Sequence, residues 1–394
     1  MIKLLKSFIA QSIRNLIENA AMSGVASKAP GTLLIVKLDG IGDYVLFRNF
    51  IEILRKDERY KGYKFTLCAS LAVKSLACET ERDTIDEFIW VDNKRFYSNY
   101  FYRFRVLRDI LRKGFEIVIH PTYSREYIAD KIVKASKAPV RIGNAGDSVN
   151  VAAGLKAEFD GYYTGLVNTE SDGRVMKFEF HRYKIFFETL LNKKIDIARP
   201  FINLAGDGCV SRFVPDADKP YAVVFPGAML SDKRWSHEYF AEVCDFLAEK
   251  YSLTVLIAGA KSDEEFASKI IEKSKSGKAI NIAGKTKLFE LAALLAKASV
   301  LVSNDTCAVH IGAAVDMPGI VCVFKGNHFG RFVPYPPEVF KNLHCVFPQE
   351  LEKNINNYEY LERKYLFGSE LDINSIAADK VKKMIAEIMG RAVK

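Results

Sequence analysis

No stretch of this sequence is apolar for long enough to span a bilayer. A membrane-crossing helix needs roughly 20 apolar residues, and the longest apolar runs fall well short of that. The first residues also hold no long apolar block ahead of a small-residue cleavage site, which predicts a cytoplasmic protein without a secretory leader. Paired cysteines are missing too. The 7 cysteines are scattered, at 68, 78, 209, 244, 307, 322 and 345, and no two make a C-x-x-C. That spacing gives no zinc signature and suits reduced thiols. Acid is short relative to base, leaving a net charge of +9. An excess of this sign suits nucleic acid, an anionic membrane face or a phosphorylated substrate, and does not choose among them.

What is present is globular. Hydrophobic residues make up 49% and charged residues 27% of 394 positions, enough for two domains of ordinary size. Residues 1–30 read as an extension: an amphipathic helix with Ile2, Leu5, Ile9, Ile13 and Leu16 on one face, then a Ser/Gly/Pro/Ala connector. Lys3, Lys6 and Arg14 lie off the apolar face. Such a helix suits an anionic membrane surface, or packing on protein.

From Thr32 an α/β alternation begins. Strand runs at 32–38, 65–69, 87–91 and 116–120 are separated by helical segments, one of them around 104–113. Residues 144–180, rich in Gly, Asn, Asp and Tyr, read as loop with short strands. A helix near 181–191 closes a first domain over 31–200. Residues 201–219 read as a linker. A second α/β pattern over 220–345 has strand runs at 221–225, 253–258, 298–302 and 320–324. The remaining segment, 346–394, ends in a helix near 375–389. The fold class is thus α/β, with two doubly wound sheets. In such sheets ligands bind beyond the carboxyl ends of the strands. The loops at 39–43, 226–235 and 303–310 all sit there, and facing one another they would make one site.

Each loop carries candidate chemistry. Gly40-Ile41-Gly42-Asp43 opens like a dinucleotide fingerprint but lacks its third glycine and its later acidic residue, so it disfavours NAD. Gly40 and Gly42 would let a substrate come close to the backbone. Asp43 is a candidate general base or a helix cap. In the second loop, Lys233 or Arg234 could neutralise a diphosphate, and Trp235 could wall a pocket or anchor the helix behind it. In the third, Ser303-Asn304-Asp305-Thr306-Cys307 leads from a buried strand into a helix whose unpaired N–H groups suit a phosphate. Asp305 and Thr306 can cap that helix, and His310 falls in its first turn. Asp216-Ala217-Asp218 follows no strand and reads as a solvated turn, so no metal site is expected. Residues 94–113 interleave Arg and Lys with Phe and Tyr, suiting an anionic glycan, a membrane or a packed helix face. No nucleic-acid motif accompanies them, so no nucleic-acid partner is expected.

Taken together, Ile35-Val36-Lys37 with Gly40-x-Gly42-Asp43, Pro226-Gly227-Ala228 with Lys233-x-Trp235, Ala283-Gly284-Lys285-Thr286 with Glu290–Leu294, Ser303–Thr306 with His310, and Gly330-Arg331-Phe332-x-Pro334-Tyr335 resemble the bacterial heptosyltransferase family, glycosyltransferase family nine. The resemblance implies a GT-B fold, with two Rossmann-like domains facing across a cleft. It implies inverting transfer of a sugar, often a heptose, from a nucleotide diphosphate donor such as ADP-heptose to a lipopolysaccharide core or related lipid-linked or oligosaccharide acceptor. No bound metal or cofactor is implied. By motif, Asp43 would be the base, with Gly40 and Gly42 on the acceptor side. Lys233, Trp235, Asp305, Thr306 and His310 would bind the donor. Cys307 departs from the family's usual glycine. A sugar-nucleotide epimerase and a non-catalytic glycan-binding protein are the alternatives on the same fold.

Overall fold

A computed structural model describes residues 2–26, 29–170, 176–204, 210–214, 216 and 219–391. Asp218 of the Asp-Ala-Asp turn lies outside them. The chain folds into two compact units. Of the described residues, the first holds those up to 170 together with Arg182–Ile195, and the second holds 176–181 and those from Asp196 onward.

The first unit is built on a six-stranded parallel sheet: β1 Thr32–Lys37, β2 Lys64–Ser70, β3 Glu87–Val91, β4 Ile117–His120, β5 Val140–Asn144 and β6 Gly165–Val167. Their order is β3-β2-β1-β4-β5-β6. In the central strand Leu33, Leu34, Ile35 and Val36 are all buried, as a strand covered on both faces requires. The second unit repeats the arrangement with β7 Tyr221–Phe225, β8 Thr254–Ile257, β9 Ala279–Asn281, β10 Val300–Asn304, β11 Ile320–Val323 and β12 Leu343–Val346. Its order, β12-β11-β10-β7-β8-β9, is the same doubly wound pattern. In each sheet the chain winds outward in opposite directions from two adjacent strands, β1 and β4 in one and β7 and β10 in the other. Loops leaving the carboxyl ends of such a pair open a crevice that side chains from both loops can share.

Several boundaries differ from the sequence reading. Helix Ile2–Ala21 is part of the first unit and packs on helix Tyr100–Lys113. Glu18 fastens it, buried between Arg103 at 3.6 Å and Lys131 at 3.3 Å and accepting from the Tyr127 hydroxyl at 2.7 Å. The described part of residues 144–180 holds one short strand, β6, but also a helix, Ala153–Asp160. The described residues of 201–219 do not stand apart as a linker. Ile202 donates its N–H to Ala314 O at 2.8 Å, Arg199 pairs with Asp316 at 3.1 Å, and Val210, Phe213 and Val214 are buried. The C-terminal segment is likewise no separate piece. Val381, Ile385 and Ile388 of helix Ala378–Arg391 share one apolar core with Val224, Trp235 and Val302. Gly319 is required beneath that helix, because a Cβ there would lie 2.3 Å from Ile388 Cγ2.

Candidate functional site

The second unit's crevice is assembled where β7 and β10 lie side by side. Asn304, the last residue of β10, is fully buried and ties the two loops together. Its side-chain amide donates to Pro226 O at 2.8 Å and its oxygen accepts from the Trp235 N–H at 3.2 Å. Asp305 follows, then Thr306, whose extended backbone caps helix Cys307–Ala314 and whose hydroxyl accepts from the Ala308 N–H at 3.3 Å. Cys307 is the first residue of that helix, so the strand–cap–helix shape forms with a cysteine at this position. Burial pushes its thiol up to about 12, so it stays a neutral thiol near pH 7.

Lys233 reaches this elbow. Its Nζ lies 3.5 Å from Asp305 Oδ2, both side chains partly open to solvent. Arg234, the alternative cation, points elsewhere. It donates to Ala228 O at 3.0 Å and pairs with Asp263 at 3.1 Å. Asp263 also accepts from the Ala260 N–H at 2.9 Å and lies so close to Gly227 that a Cβ there would fall 2.4 Å from its Oδ2. Pro226-Gly227-Ala228 is therefore a loop locked by Arg234 and Asp263, leaving Lys233 as the cation of that pair beside the helix start.

Two of the expected donor contacts prove to be buried. Trp235 is fully covered: it packs edge-on against Phe240 at 5.0 Å between centroids and donates its Nε1–H to Ile376 O at 2.8 Å. It precedes the N-cap Ser236, and Phe240 sits one turn in, the spacing of a hydrophobic staple. Trp235 therefore anchors its helix and does not wall the crevice; a capping serine flanked by two aromatics was the sequence signal for this. His310 is also buried, its Nδ1 2.8 Å from the Tyr335 hydroxyl. Burial holds its pKa down to about 4, so the ring is neutral. The sequence reading missed Lys325, a buried residue just beyond β11 that pairs with Asp232 at 2.7 Å and holds that carboxyl below its usual range.

In the first unit the corresponding crevice lies between β1 and β4. Helix Ile41–Phe47 starts after Gly40, and half-buried Asp43 sits in its first turn. Gly40 makes room for that carboxylate: a Cβ on it would lie 2.9 Å from Asp43 Oδ2. Gly42 lies within the same helical turn. Beside them is a buried polar group that the sequence did not flag. Lys37 Nζ bonds to Asp39 and to the Tyr183 hydroxyl, and Thr122, from the loop after β4, donates to Asp39 Oδ2 at 3.1 Å. Glu126, at the next helix start, is raised to about 7 by burial and by the charge of Asp39. The doubly wound order could have drawn attention to residues 121–126, since that loop must neighbour 38–43. Among the described residues no group of three or more His, Cys, Asp or Glu side chains gathers as a metal would need.

His310 gives the second unit a pH dependence. The unfolded chain binds a proton on this ring near pH 6.5, whereas the folded chain does so only near pH 4. Between those values the unfolded state holds more protons, so stability falls as pH drops through the window, by on the order of 3 kcal/mol in all. Replacing His310 by Asn is expected to flatten the melting-temperature profile between neutral pH and pH 4. Superimposable slopes for the two proteins would remove His310 as the source.

Residues 189–355 match the family model for glycosyltransferase family 9 (heptosyltransferase). Over 121 residues the chain is 32% identical to lipooligosaccharide heptosyltransferase 2 of Haemophilus ducreyi, covering 30% of this chain and 34% of that one. The chain thus spans about a third of the length of the curated relatives it matches. Two solved structures share the fold over nearly the full length. A family 9 glycosyl transferase from Veillonella parvula aligns with a TM-score of 0.68 at 20% identity, covering 93% of this chain and 99% of that one. Escherichia coli heptosyltransferase WaaC with ADP-2-deoxy-2-fluoro heptose aligns at 0.64 and 18%, covering 90% and 99%. The paired six-stranded sheets are those of the GT-B fold. The motif set from Ile35 to Tyr335 and the match over residues 189–355 thus point to one and the same family, glycosyltransferase family 9 (heptosyltransferase).

Proposed function

We propose that the protein is an inverting glycosyltransferase needing no metal or other cofactor of its own. It moves a heptose-like sugar from a nucleotide diphosphate donor, ADP-heptose in the first instance, to a lipopolysaccharide-core or related glycan at the cytoplasmic face of a membrane. The observation that carries this reading is Lys233 held 3.5 Å from Asp305 beside the capped start of helix Cys307–Ala314, inside the family 9 segment. Transfer breaks the bond between the anomeric carbon and the diphosphate, and negative charge develops on the departing oxygens. A lysine and helix-start N–H groups stabilise that charge where it forms. The acceptor hydroxyl attacks the anomeric carbon from the opposite side and gives its proton to Asp43, so the configuration inverts. Naming a heptose donor draws on the Haemophilus ducreyi relative, a lipooligosaccharide heptosyltransferase, and on the ligand of the Escherichia coli WaaC structure. The same family match favours transfer over epimerisation or plain glycan binding.

Thermal shift and titration test the donor site. ADP and ADP-heptose are expected to raise the melting temperature, because they bind the folded state alone. Lys233→Ala removes one charge-assisted contact and is expected to weaken ADP-heptose binding roughly 10- to 100-fold. Equal affinity in the variant would take Lys233 out of the donor site. Donor consumption without any acceptor would replace transfer by epimerisation.

A further inference from the structure

Where the C-terminal end of helix Ile2–Ala21 meets helix Tyr100–Lys113, an open groove of about 410 Å³ lies on the first unit, far in sequence from the motifs above. Arg105, Arg108 and Arg112 line it, with Phe101 and Phe104, and Ala20 borders it from the other helix. Among the described residues Asp109 is the one acidic group lining it, so the groove they form is net positive. Arg108 is partly engaged, donating to Ser23 O at 2.6 Å and Ala21 O at 3.4 Å. Arg105 and Arg112 are exposed and form no ion pair among the described residues.

The two helices run in the same direction, since Glu18 meets Arg103 and Ser23 meets Arg108. Leu16 lies four residues before the groove-lining Ala20 and so on the same face of its helix, and Phe101 lines the groove itself. They are 69% and 74% exposed, and Ile13, a turn before, is 41% exposed. A basic groove thus continues into a ridge of large apolar side chains left in water. A soluble polar ligand would use the arginines but leave that ridge uncovered. A second copy would set arginine against arginine on a chain already at +9. A bilayer with anionic headgroups satisfies both halves, phosphates on the arginines and aromatic and aliphatic side chains in the interfacial layer.

We propose that this groove and ridge, Arg105, Arg108 and Arg112 with Phe101 and Leu16, form the face by which the protein docks on an anionic membrane. The inference deepens the membrane part of the proposed function and rests on that part, while the surface itself stands apart from the donor and acceptor residues. The test is flotation of the full chain with phosphatidylcholine vesicles, with and without phosphatidylglycerol. The wild type is expected to float only with phosphatidylglycerol. Arg105→Gln with Arg112→Gln is expected to lower partitioning roughly 20-fold, and Phe101→Ser to lower it several-fold, with transfer to a delipidated acceptor unchanged. Binding by the double variant equal to the wild type, or none by the wild type, overturns the proposal. So does release of the wild type by free glycerophosphate, which would make the groove a soluble-phosphate site. A chain that floats as expected yet transfers no sugar would overturn the transferase reading and leave the docking face standing.

Discussion

Exchanging Asp43 for asparagine is expected to lower sugar transfer by about 10²- to 10⁴-fold, the usual contribution of a positioned general base, while leaving donor affinity unchanged. The substitution keeps the side chain's size, and the space that Gly40 leaves beside Asp43 Oδ2 accommodates an amide equally well. The short helix Ile41–Phe47 is set by buried Tyr44, Val45, Leu46 and Phe47, none of which the exchange touches. What the exchange removes at the reacting centre is the negative charge and with it the capacity to take a proton from the acceptor hydroxyl. Steady-state rates with saturating donor, alongside calorimetric titration of ADP-heptose, separate the two effects. Full-rate transfer in the variant would remove Asp43 from the mechanism and point to another group for the proton. Glu126, whose carboxyl is raised to about 7 on the same sheet edge, would be the first to examine.

Replacing Trp235 by alanine carries the largest expected loss of stability, roughly 3–5 kcal/mol. The residue sits at the junction of the second unit's core with the C-terminal helix segment. Truncation would open a cavity among Phe240, Val224 and Ile376, and would also strip Ile376 O of its indole donor. A buried carbonyl left without a partner adds a desolvation cost of its own. Trp235→Phe restores most of the volume but not the hydrogen bond, so it is expected to fall between the two. Urea unfolding measures all three. An alanine variant within about 1 kcal/mol of the wild type, with selectively weakened donor binding, would return Trp235 to the crevice. The motif position alone suggested a donor contact; the staple geometry makes it a packing residue.

Much of the architecture could be read from the linear pattern because parallel strands covered on both faces must be continuously apolar. Thr32–Lys37, Tyr221–Phe225 and Ile320–Val323 are runs of that kind. Short or half-exposed strands at or next to a sheet edge carry a weaker signal. Val140–Asn144 is half-exposed and contains Arg141, and Ala279–Asn281 is three residues long, so neither stood out. Ser236 caps helix His237–Tyr251, a local feature of the kind a sequence carries directly because capping depends on a few adjacent residues. Asp43, Lys233 and Thr306 were singled out for the same reason, each lying in a loop of small and polar residues directly after an apolar run.

The sequence by itself determined the buried central strands, several helix starts and the loops at those strands' carboxyl ends, because these arise from contacts a few residues apart. Only the tertiary structure decided which member of each loop is free for chemistry. Arg234 and Lys233 are neighbours of like charge, and Asp263, about thirty residues on, claims one of them and leaves the other beside Asp305. Trp235 turns into a core completed by a helix near the chain's end, and Lys37 and Asp39 meet Thr122 and Tyr183 from distant segments. The long-range pairing of strands brings such groups together, and side-chain identity at one position cannot specify a partner that the winding of the sheet supplies.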